Sequence, residues 1–378
     1  MPYMTRETCK ADLARTVSVL PNLRYVDLPD GFHNDDPSIK TLKHELQSRC
    51  HDIRKMKYMN GAEGSFVMLG QERQWPNLEI LELDRLSMDT SILTDVLLSM
   101  TALQELEMIG LPSLDDGPFL SASAALPSLV KLSIKDANSV SVDGMAGYLS
   151  RPDVAKSLTS LALSNTTILP SNLHLILASA PKLITLYVSE SVSRPFPISP
   201  IPTLASSSLQ TLNYEVSDAG PSSRSLDSPS ESCYAYLARC ILSGSLPALT
   251  NLYALSTSLP ALLLPPPAPF HAATLADPQP LGLENPLCLY TKSVRELEWD
   301  FTLITPPSSS NRRGKMTATR PMSLYNAPRL SPQWRDKGRE SVMVGNGFGG
   351  YLMVPGEDTR PGSPRMKAAR KERDAWMG

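Results

Sequence analysis

An apolar pattern recurs along most of the chain. It consists of an apolar residue, two variable residues, a second apolar residue, one variable residue and a third apolar residue, as in Leu158-x-x-Leu161-x-Leu163. Alternation of apolar and polar positions with period two predicts a short β-strand with one buried face. The ten copies begin at Leu23, Ile53, Leu78, Leu103, Leu129, Leu158, Leu183, Leu209, Leu249 and Val294.

The spacing of these copies predicts the fold class. The first eight copies follow one another at intervals of 25 to 30 residues, and the last two intervals lengthen to 40 and 45 residues. A period of about 20–29 residues indicates leucine-rich repeats. One such strand cannot bury its apolar face alone, but stacked parallel neighbours bury a continuous spine. We therefore predict an α/β fold, a leucine-rich-repeat solenoid or horseshoe with parallel strands on its concave face.

Helices are predicted between the strands. Four segments have apolar residues at helical spacing, and they are 90–98, 143–149, 171–178 and 232–242. Polar or hydroxyl side chains open these segments, as is typical of helix N-termini. Because helices occupy more room than strands, we expect the helices on the outside of the curved array.

The composition shifts near residue 305 predict two regions. Residues 1–304 form the predicted solenoid, with polar or proline-rich insertions near 217–231 and 259–286. Residues 305–378 are rich in Pro, Gly, Ser and Arg, and such a composition predicts a disordered tail. Residues 301–378 hold 14 Lys and Arg against 6 Asp and Glu, whereas residues 1–300 hold the other 22 basic and 32 acidic residues. An acidic folded body with a basic tail is the predicted organisation.

Several protein classes are excluded by these features. The first residues lack the apolar segment of a secretory signal, and no run of about 18 apolar residues predicts a membrane span. The five cysteines form no C-x-x-C pair, and an odd number of them fits a reducing compartment. We expect a protein of the cytoplasm or nucleus. The basic run at 360–373 is interpreted as a solvated tail, with a nuclear address as the alternative.

No catalytic, metal or cofactor site is predicted. The segment Gly345–Gly350 matches G-x-G-x-x-G, but no helix opens after it, so we expect a flexible loop. His44, Cys50 and His51 are close in sequence but lack a further pair of metal ligands. Cys233 and Cys240 are interpreted as buried core thiols. We therefore expect a protein that is not an enzyme and that holds no cofactor.

The predicted binding surface is the set of strand residues that flank the buried leucines. These side chains mix basic, acidic and tyrosine residues, which differs from the uniformly basic track that phosphate backbones require, so we do not expect nucleic acid as a partner. A protein target, anchored by tyrosines, suits the surface better. The candidate partner-binding residues are Tyr25, Asp27, Lys55, Lys57, Glu82, Glu105, Glu107, Lys131, Tyr187, Asn213, Tyr253, Glu296 and Glu298.

Three segments resemble the leucine-rich part of fungal F-box proteins. They are Cys9–Pro29, Cys50–Tyr58 and Trp75–Leu83, within a resemblance that extends over about residues 1–300. In that family an F-box binds the Skp adaptor of a cullin ubiquitin ligase, and the repeats select the target. The F-box itself is not found here, because Leu20-Pro21 is the junction before a repeat. The Skp adaptor and cullin are therefore expected as partners only if the full-length protein carries an F-box.

Two functional hypotheses follow. In the first, the chain is a non-catalytic substrate-recognition subunit of an SCF-type cullin ubiquitin ligase and directs targets to ubiquitin-dependent degradation. In the second, it is a free-standing leucine-rich-repeat scaffold or adaptor with no ligase role. Whether an F-box is missing by truncation or by divergence is left open by these residues.

Overall fold

The computed structural model describes residues 6–120, 126–197, 199–220, 228–264, 283, 285–305, 341–345 and 351–355. The chain divides into two compact units, Met1–Ser323 and Leu324–Gly378. The described part contains no helix that is both long and apolar enough to cross a membrane.

The first unit is built on one ten-stranded sheet. Its strands are β1 (Lys55–Met59), β2 (Ile80–Asp84), β3 (Glu105–Ile109), β4 (Lys131–Ala137), β5 (Ser160–Thr166), β6 (Thr185–Val192), β7 (Thr211–Asp218), β8 (Asn251–Ala254), β9 (Leu287–Thr291) and β10 (Asp300–Ile304). They lie side by side in the order of the chain, without crossovers. The strands β1 to β9 are parallel, and β10 pairs antiparallel with β9. The α/β architecture predicted from the repeat is therefore present, as an open and mostly parallel sheet.

The register of the sheet follows the sequence repeat. From the copy at Ile53 to the copy at Leu249, the second apolar position of one copy is the register partner of the same position in the next, and Leu289 of β9 continues the row. These residues are Met56, Leu81, Leu106, Leu132, Leu161, Leu186, Leu212, Leu252 and Leu289. All nine are buried. Because side chains alternate along a strand, the residues between the leucines all point to the opposite face.

Helices connect the strands. They are α1 (Arg6–Ser18), α2 (Asp30–His33), α3 (Lys40–Arg49), α4 (Glu63–Glu72), α5 (Thr90–Ser99), α6 (Gly117–Leu120), α7 (Val142–Leu149), α8 (Val154–Ser157), α9 (Leu173–Ser179), α10 (Pro229–Leu242) and α11 (Leu259–Leu263), with 3₁₀ turns at Pro37–Ile39 and Pro170–Asn172. The helices predicted from the patterns at 90–98, 143–149, 171–178 and 232–242 are confirmed as α5, α7, α9 and α10. Successive helices pack on one another, as α4 does on α5 and α7 does on α9. Their apolar sides, such as Leu93 and Leu97 of α5, join the leucines of the strands in one core.

Four consecutive repeats bend at the same position, four residues beyond the buried leucine in the middle of the repeat. Arg85, Gly110, Asp136 and Asn165 all have φ between 50° and 59°, in the left-handed region. Non-glycine residues seldom adopt this conformation, although Asn and Asp tolerate it better than most. The Asn165 side chain donates a hydrogen bond to the carboxylate of Asp136, 2.8 Å away, which links two of these bends.

The first copy of the repeat does not form a strand. Residues 23–28 belong to no strand, although the Arg54 amide donates a backbone hydrogen bond to the Arg24 carbonyl, 2.9 Å away. Pro29, which follows directly, has no amide hydrogen with which to continue a ladder. The prediction of a strand bearing Tyr25 and Asp27 is therefore wrong, although Leu28 is buried as its pattern implied.

The last copy was assigned to the wrong residues. The strand that continues the parallel array is β9, whereas residues 294–297 lie in the turn that precedes β10. Val294 is 64% exposed and Leu297 is 94% exposed, so neither is a core position. The Glu296 carboxylate accepts a hydrogen bond from the Ser293 amide at 2.8 Å, which stabilises the turn. The sequence signal of the true strand is the alternation of Leu287 and Leu289 directly after Pro286.

The insertions and the tail are described in part. The β7 strand ends at Asp218 and α10 begins at Pro229, and α11 occupies the start of the predicted 259–286 insertion. The rest of both insertions lies outside the described residues. In the second unit, β11 (Ser341–Gly345) and β12 (Tyr351–Pro355) form an antiparallel pair inside the predicted tail. The predicted loop after Gly345, the basic run at 360–373 and the remainder of the tail lie outside the described residues.

Candidate functional site

The sheet face opposite the buried leucines, here called the open face, carries most of the predicted binding residues. Its middle row consists of register partners on nine consecutive strands, namely Lys57, Glu82, Glu107, Ser133, Ala162, Tyr187, Asn213, Tyr253 and Tyr290. A neighbouring row contains Lys55, Glu105 and Lys131 at the corresponding earlier strand positions. The structure thus brings nine of the thirteen predicted residues onto one surface.

The four other predicted residues lie off this surface. Tyr25 and Asp27 are exposed in the segment before α2, where the Tyr25 hydroxyl donates to the Glu79 carboxylate at 3.2 Å. Glu296 and Glu298 are in the exposed turn between β9 and β10. Their assignment to strand positions is wrong because the chain reverses direction there instead of adding a tenth parallel strand.

The charged end of the open face, on β1 to β4, is neutralised by pairs across neighbouring strands. Lys57 contacts Glu82 at 2.5 Å, Lys135 contacts Glu107 at 2.6 Å, and Lys131 contacts Glu105 at 3.3 Å. The hydrogen bond to Glu82 raises the pKa of Lys57 above its ordinary value. Since each carboxylate is matched by an ammonium group, this end presents little net charge to a partner.

The opposite end of the open face carries an aromatic cluster formed by Tyr253, Tyr290, Trp299 and Phe301. The rings of Tyr253 and Tyr290 are stacked, with centroids 4.5 Å apart and planes within 8°. Trp299 contacts Tyr253 edge-on at 5.5 Å, and Phe301 lies 5.3 Å from Tyr290. All four side chains are partly exposed. Large, partly exposed aromatic side chains are the usual anchors of protein interfaces.

Of this cluster, the repeat pattern predicts only Tyr253 as a surface residue. Tyr290 falls outside the predicted copies together with β9, and Trp299 stands at the third apolar position of the copy that begins at Val294. The contact between Tyr290 and Phe301 depends on the antiparallel pairing of β10 with β9, in which these two residues are register partners. Lys292 completes the group, with its ammonium nitrogen 4.4 Å from the centre of the Trp299 ring.

A second tyrosine of the face positions a carboxylate. The Tyr187 hydroxyl on β6 donates a hydrogen bond to Glu215 on β7 at 3.1 Å. Burial, followed by the charge of Glu215, raises the pKa of Tyr187, so the hydroxyl keeps its proton and remains the donor. Asn213 lies between Tyr187 and Tyr253 in the middle row.

A polar cluster lies between α3 and α4. Lys43, Asp35 and Ser65 contact one another beside a cavity of about 400 Å³ between α2, α3 and α4. Asp35 contacts both other members of the cluster, Lys43 as an ion pair and Ser65 as a hydrogen-bond acceptor.

The buried cysteines are weak nucleophiles. Burial raises the pKa of Cys233 to about 11, and it also raises the pKa of Cys50 and of Cys240. Raised pKa values keep these thiols protonated and poorly nucleophilic at neutral pH. The interpretation of Cys233 and Cys240 as buried core thiols is confirmed. Over the described ranges, no group of three or more His, Cys, Asp or Glu side chains is arranged to hold a metal ion.

Comparison with known proteins adds no assignment. A scan against protein-family models and a search of curated proteins find no match to this chain.

Proposed function

We propose that this chain is a leucine-rich-repeat solenoid whose open face is its concave surface, and that this surface binds a protein partner without catalysing a reaction. The observation that carries the proposal is the aromatic cluster on β8 to β10, which is partly exposed at one end of a continuous open face. Side chains of this type contribute most of the binding energy in protein interfaces.

The repeat architecture supports the solenoid part of the proposal. One strand per repeat, strictly sequential strand order and helices between the strands are the features that make repeat proteins stack in one dimension. Stacked repeats provide extended surfaces that are suited to long polypeptide partners. The charge balance of the face supports a protein over a nucleic acid, because Lys57, Lys131 and Lys135 are paired with carboxylates.

A more specific form of the proposal is that the bound partner is the target of a cullin ubiquitin ligase. Its support is the resemblance of Cys9–Pro29, Cys50–Tyr58 and Trp75–Leu83 to the repeats of fungal F-box proteins. The chain then acts in the cytoplasm or nucleus as a substrate-recognition subunit. The alternative is a scaffold that binds the same partner without a ligase.

The experiment is an affinity capture from cells with the full chain and its Tyr187→Ala/Tyr253→Ala variant. We expect the double variant to lose most of the captured partner while it keeps the circular dichroism spectrum of the parent. The matched control is Leu98→Ala on α5, a side chain that is 41% exposed away from the open face. Loss of capture with the control but not with the tyrosine variant contradicts the proposal.

The same capture separates the two functional forms. Recovery of the Skp adaptor and cullin with the partner supports the ligase role, and full-length protein expressed from the genomic locus is the appropriate bait. Recovery of the partner without them supports the scaffold.

A further inference from the structure

Glu215 differs from the other carboxylates of the open face. Glu82, Asp84, Glu105 and Glu107 each lie within 4 Å of a lysine or arginine nitrogen. Within the described ranges, Glu215 has no such basic partner, and its Oε2 accepts a single hydrogen bond, from the neutral Tyr187 hydroxyl. A half-buried carboxylate without a counter-charge attracts a cation from outside the chain.

The surroundings of Glu215 form a slot between two tyrosines. Tyr187, Asn213 and Tyr253 are register partners on β6, β7 and β8. Neighbouring strands lie about 4.8 Å apart, so the two tyrosines stand roughly 10 Å apart with the shorter Asn213 between them. The space above Asn213, between Tyr187 and Tyr253, is here called the slot. Glu215 lies two residues beyond Asn213 on the same strand and therefore borders the slot.

One face of the Tyr253 ring is turned towards the slot. Its ring is stacked on Tyr290, which belongs to the next strand, with a centroid separation of 4.5 Å that matches the strand spacing. The stacking direction therefore runs across the sheet, and the second face of Tyr253 is turned towards β7. The faces of aromatic rings attract cations, and the Lys292 ammonium already lies over Trp299 in the same cluster.

We propose that this slot binds an arginine side chain of the partner polypeptide, with the guanidinium group against the Tyr253 ring and its N–H groups donating to Glu215. This inference rests on the proposed function, because it assigns the partner chemistry at the same face. Guanidinium is favoured over ammonium because it is planar, stacks on aromatic rings and donates two parallel hydrogen bonds to one carboxylate. A phosphorylated segment is disfavoured because Glu215 repels it.

The test uses the full chain and four pools of fluorescent nonapeptides, randomised except for a central Arg, Lys, citrulline or Pro. We expect the arginine pool to bind about tenfold more tightly than the citrulline pool, which has the same shape without the charge. The lysine pool should fall between them. The Glu215→Gln variant should remove the difference between arginine and citrulline.

Two further variants keep the result interpretable. Tyr187→Phe preserves the ring but removes the hydroxyl that holds Glu215, and it should reduce the preference for arginine. The matched control is Asp153→Asn, which removes a carboxylate that is paired with Arg151 ahead of α8 and away from the open face, and it should leave the preference unchanged. Each variant is used only if its thermal unfolding midpoint equals that of the parent. Glu215→Gln and Tyr187→Phe test the role of Glu215 independently, so the loss of one variant to misfolding leaves the other.

Equal binding of the arginine and citrulline pools, or an unchanged preference in Glu215→Gln, overturns the proposal. Preferential binding of the proline pool also overturns it and assigns the cluster to a proline-rich segment. If arginine shows no preference but Tyr187→Ala/Tyr253→Ala still abolishes cellular capture, only the arginine inference fails. If neither the pools nor a cellular partner depend on these residues, the proposed function fails as well.

Discussion

The hydroxyl of Tyr234 on α10 accepts a hydrogen bond from the backbone amide of Leu255, 3.0 Å away, in the turn after β8. The same hydroxyl accepts from the Val216 amide at 3.1 Å and donates to the Val216 carbonyl at 2.9 Å. A tyrosine hydroxyl offers one donor and two acceptor positions, and all three are used. This fully buried side chain therefore joins the end of β7 to the turn after β8 from the core side of the sheet.

Replacing Tyr234 by Phe should destabilise the fold by about 1–3 kcal/mol, because it leaves two buried amides without an acceptor. Chemical denaturation followed by circular dichroism measures the change. Tyr25→Phe is the matched control, since Tyr25 is 55% exposed and its hydroxyl bonds only a surface carboxylate. The control should change stability by less than about 0.5 kcal/mol. Equal effects of the two changes would argue against the bridging role of Tyr234.

Truncation of Leu161 to Ala should cost about 2–5 kcal/mol, the range observed for buried leucines. Leu161 is fully buried on β5 and lies between its register partners Leu132 and Leu186. The loss includes the cavity that its neighbours leave unfilled. A loss below about 1 kcal/mol in urea denaturation would show that the strand register is not the one described.

The stability of the chain should depend on the ionisation of Glu190. This buried carboxylate on β6 accepts hydrogen bonds from the amide and hydroxyl of Thr166 at 2.6 and 2.8 Å, yet burial raises its pKa above the ordinary value. The folded state therefore holds this proton more tightly than the unfolded chain does. The resulting contribution is present below the unfolded pKa of about 4.3 and is lost as the pH rises through the folded pKa.

The variant Glu190→Gln should remove this contribution to the pH dependence, because the amide oxygen still accepts from Thr166 but carries no charge. Relative to the parent, the variant should gain stability as the pH rises from about 4 to 7. Unfolding free energies measured across that range test the expectation, with Glu105→Gln as an exposed control. A parent that gains stability over the variant with rising pH would contradict it.

The cross-strand pairs of the open face should contribute little to stability. Lys135 and Glu107 are 2.6 Å apart, and their side chains are 40% and 34% exposed. Solvent screening at such positions limits the coupling between two charges to about 0.2–1 kcal/mol. A double-mutant cycle with Lys135→Met and Glu107→Gln measures this coupling, which should fall further in 1 M salt. A coupling above about 2 kcal/mol would assign the pair a structural role.

The strands β1 to β8, their shared register and the buried leucines can all be predicted from the apolar pattern of the chain. The reason is that burial of one face imposes period-two alternation, and each repeat carries this information within a few consecutive residues. The same pattern also predicts that Lys57, Tyr187, Asn213 and Tyr253 occupy one surface, since residues at the same position in successive repeats become neighbours when the strands stack.

The end of the strand array and the contacts among its surface side chains depend on packing between distant parts of the chain. The reversal of the chain after β9 brings Phe301 and Trp299 to Tyr290 and Tyr253, and no local pattern announces a change from parallel to antiparallel pairing. Residues 23–28 likewise carry the apolar pattern of a strand, but a strand also needs a ladder of hydrogen bonds with its neighbour. Strand packing also sets the distances between side chains that are some 25 or more residues apart in the sequence. These distances decide that Lys57 pairs with Glu82 and that Glu215 has no basic partner among the described residues.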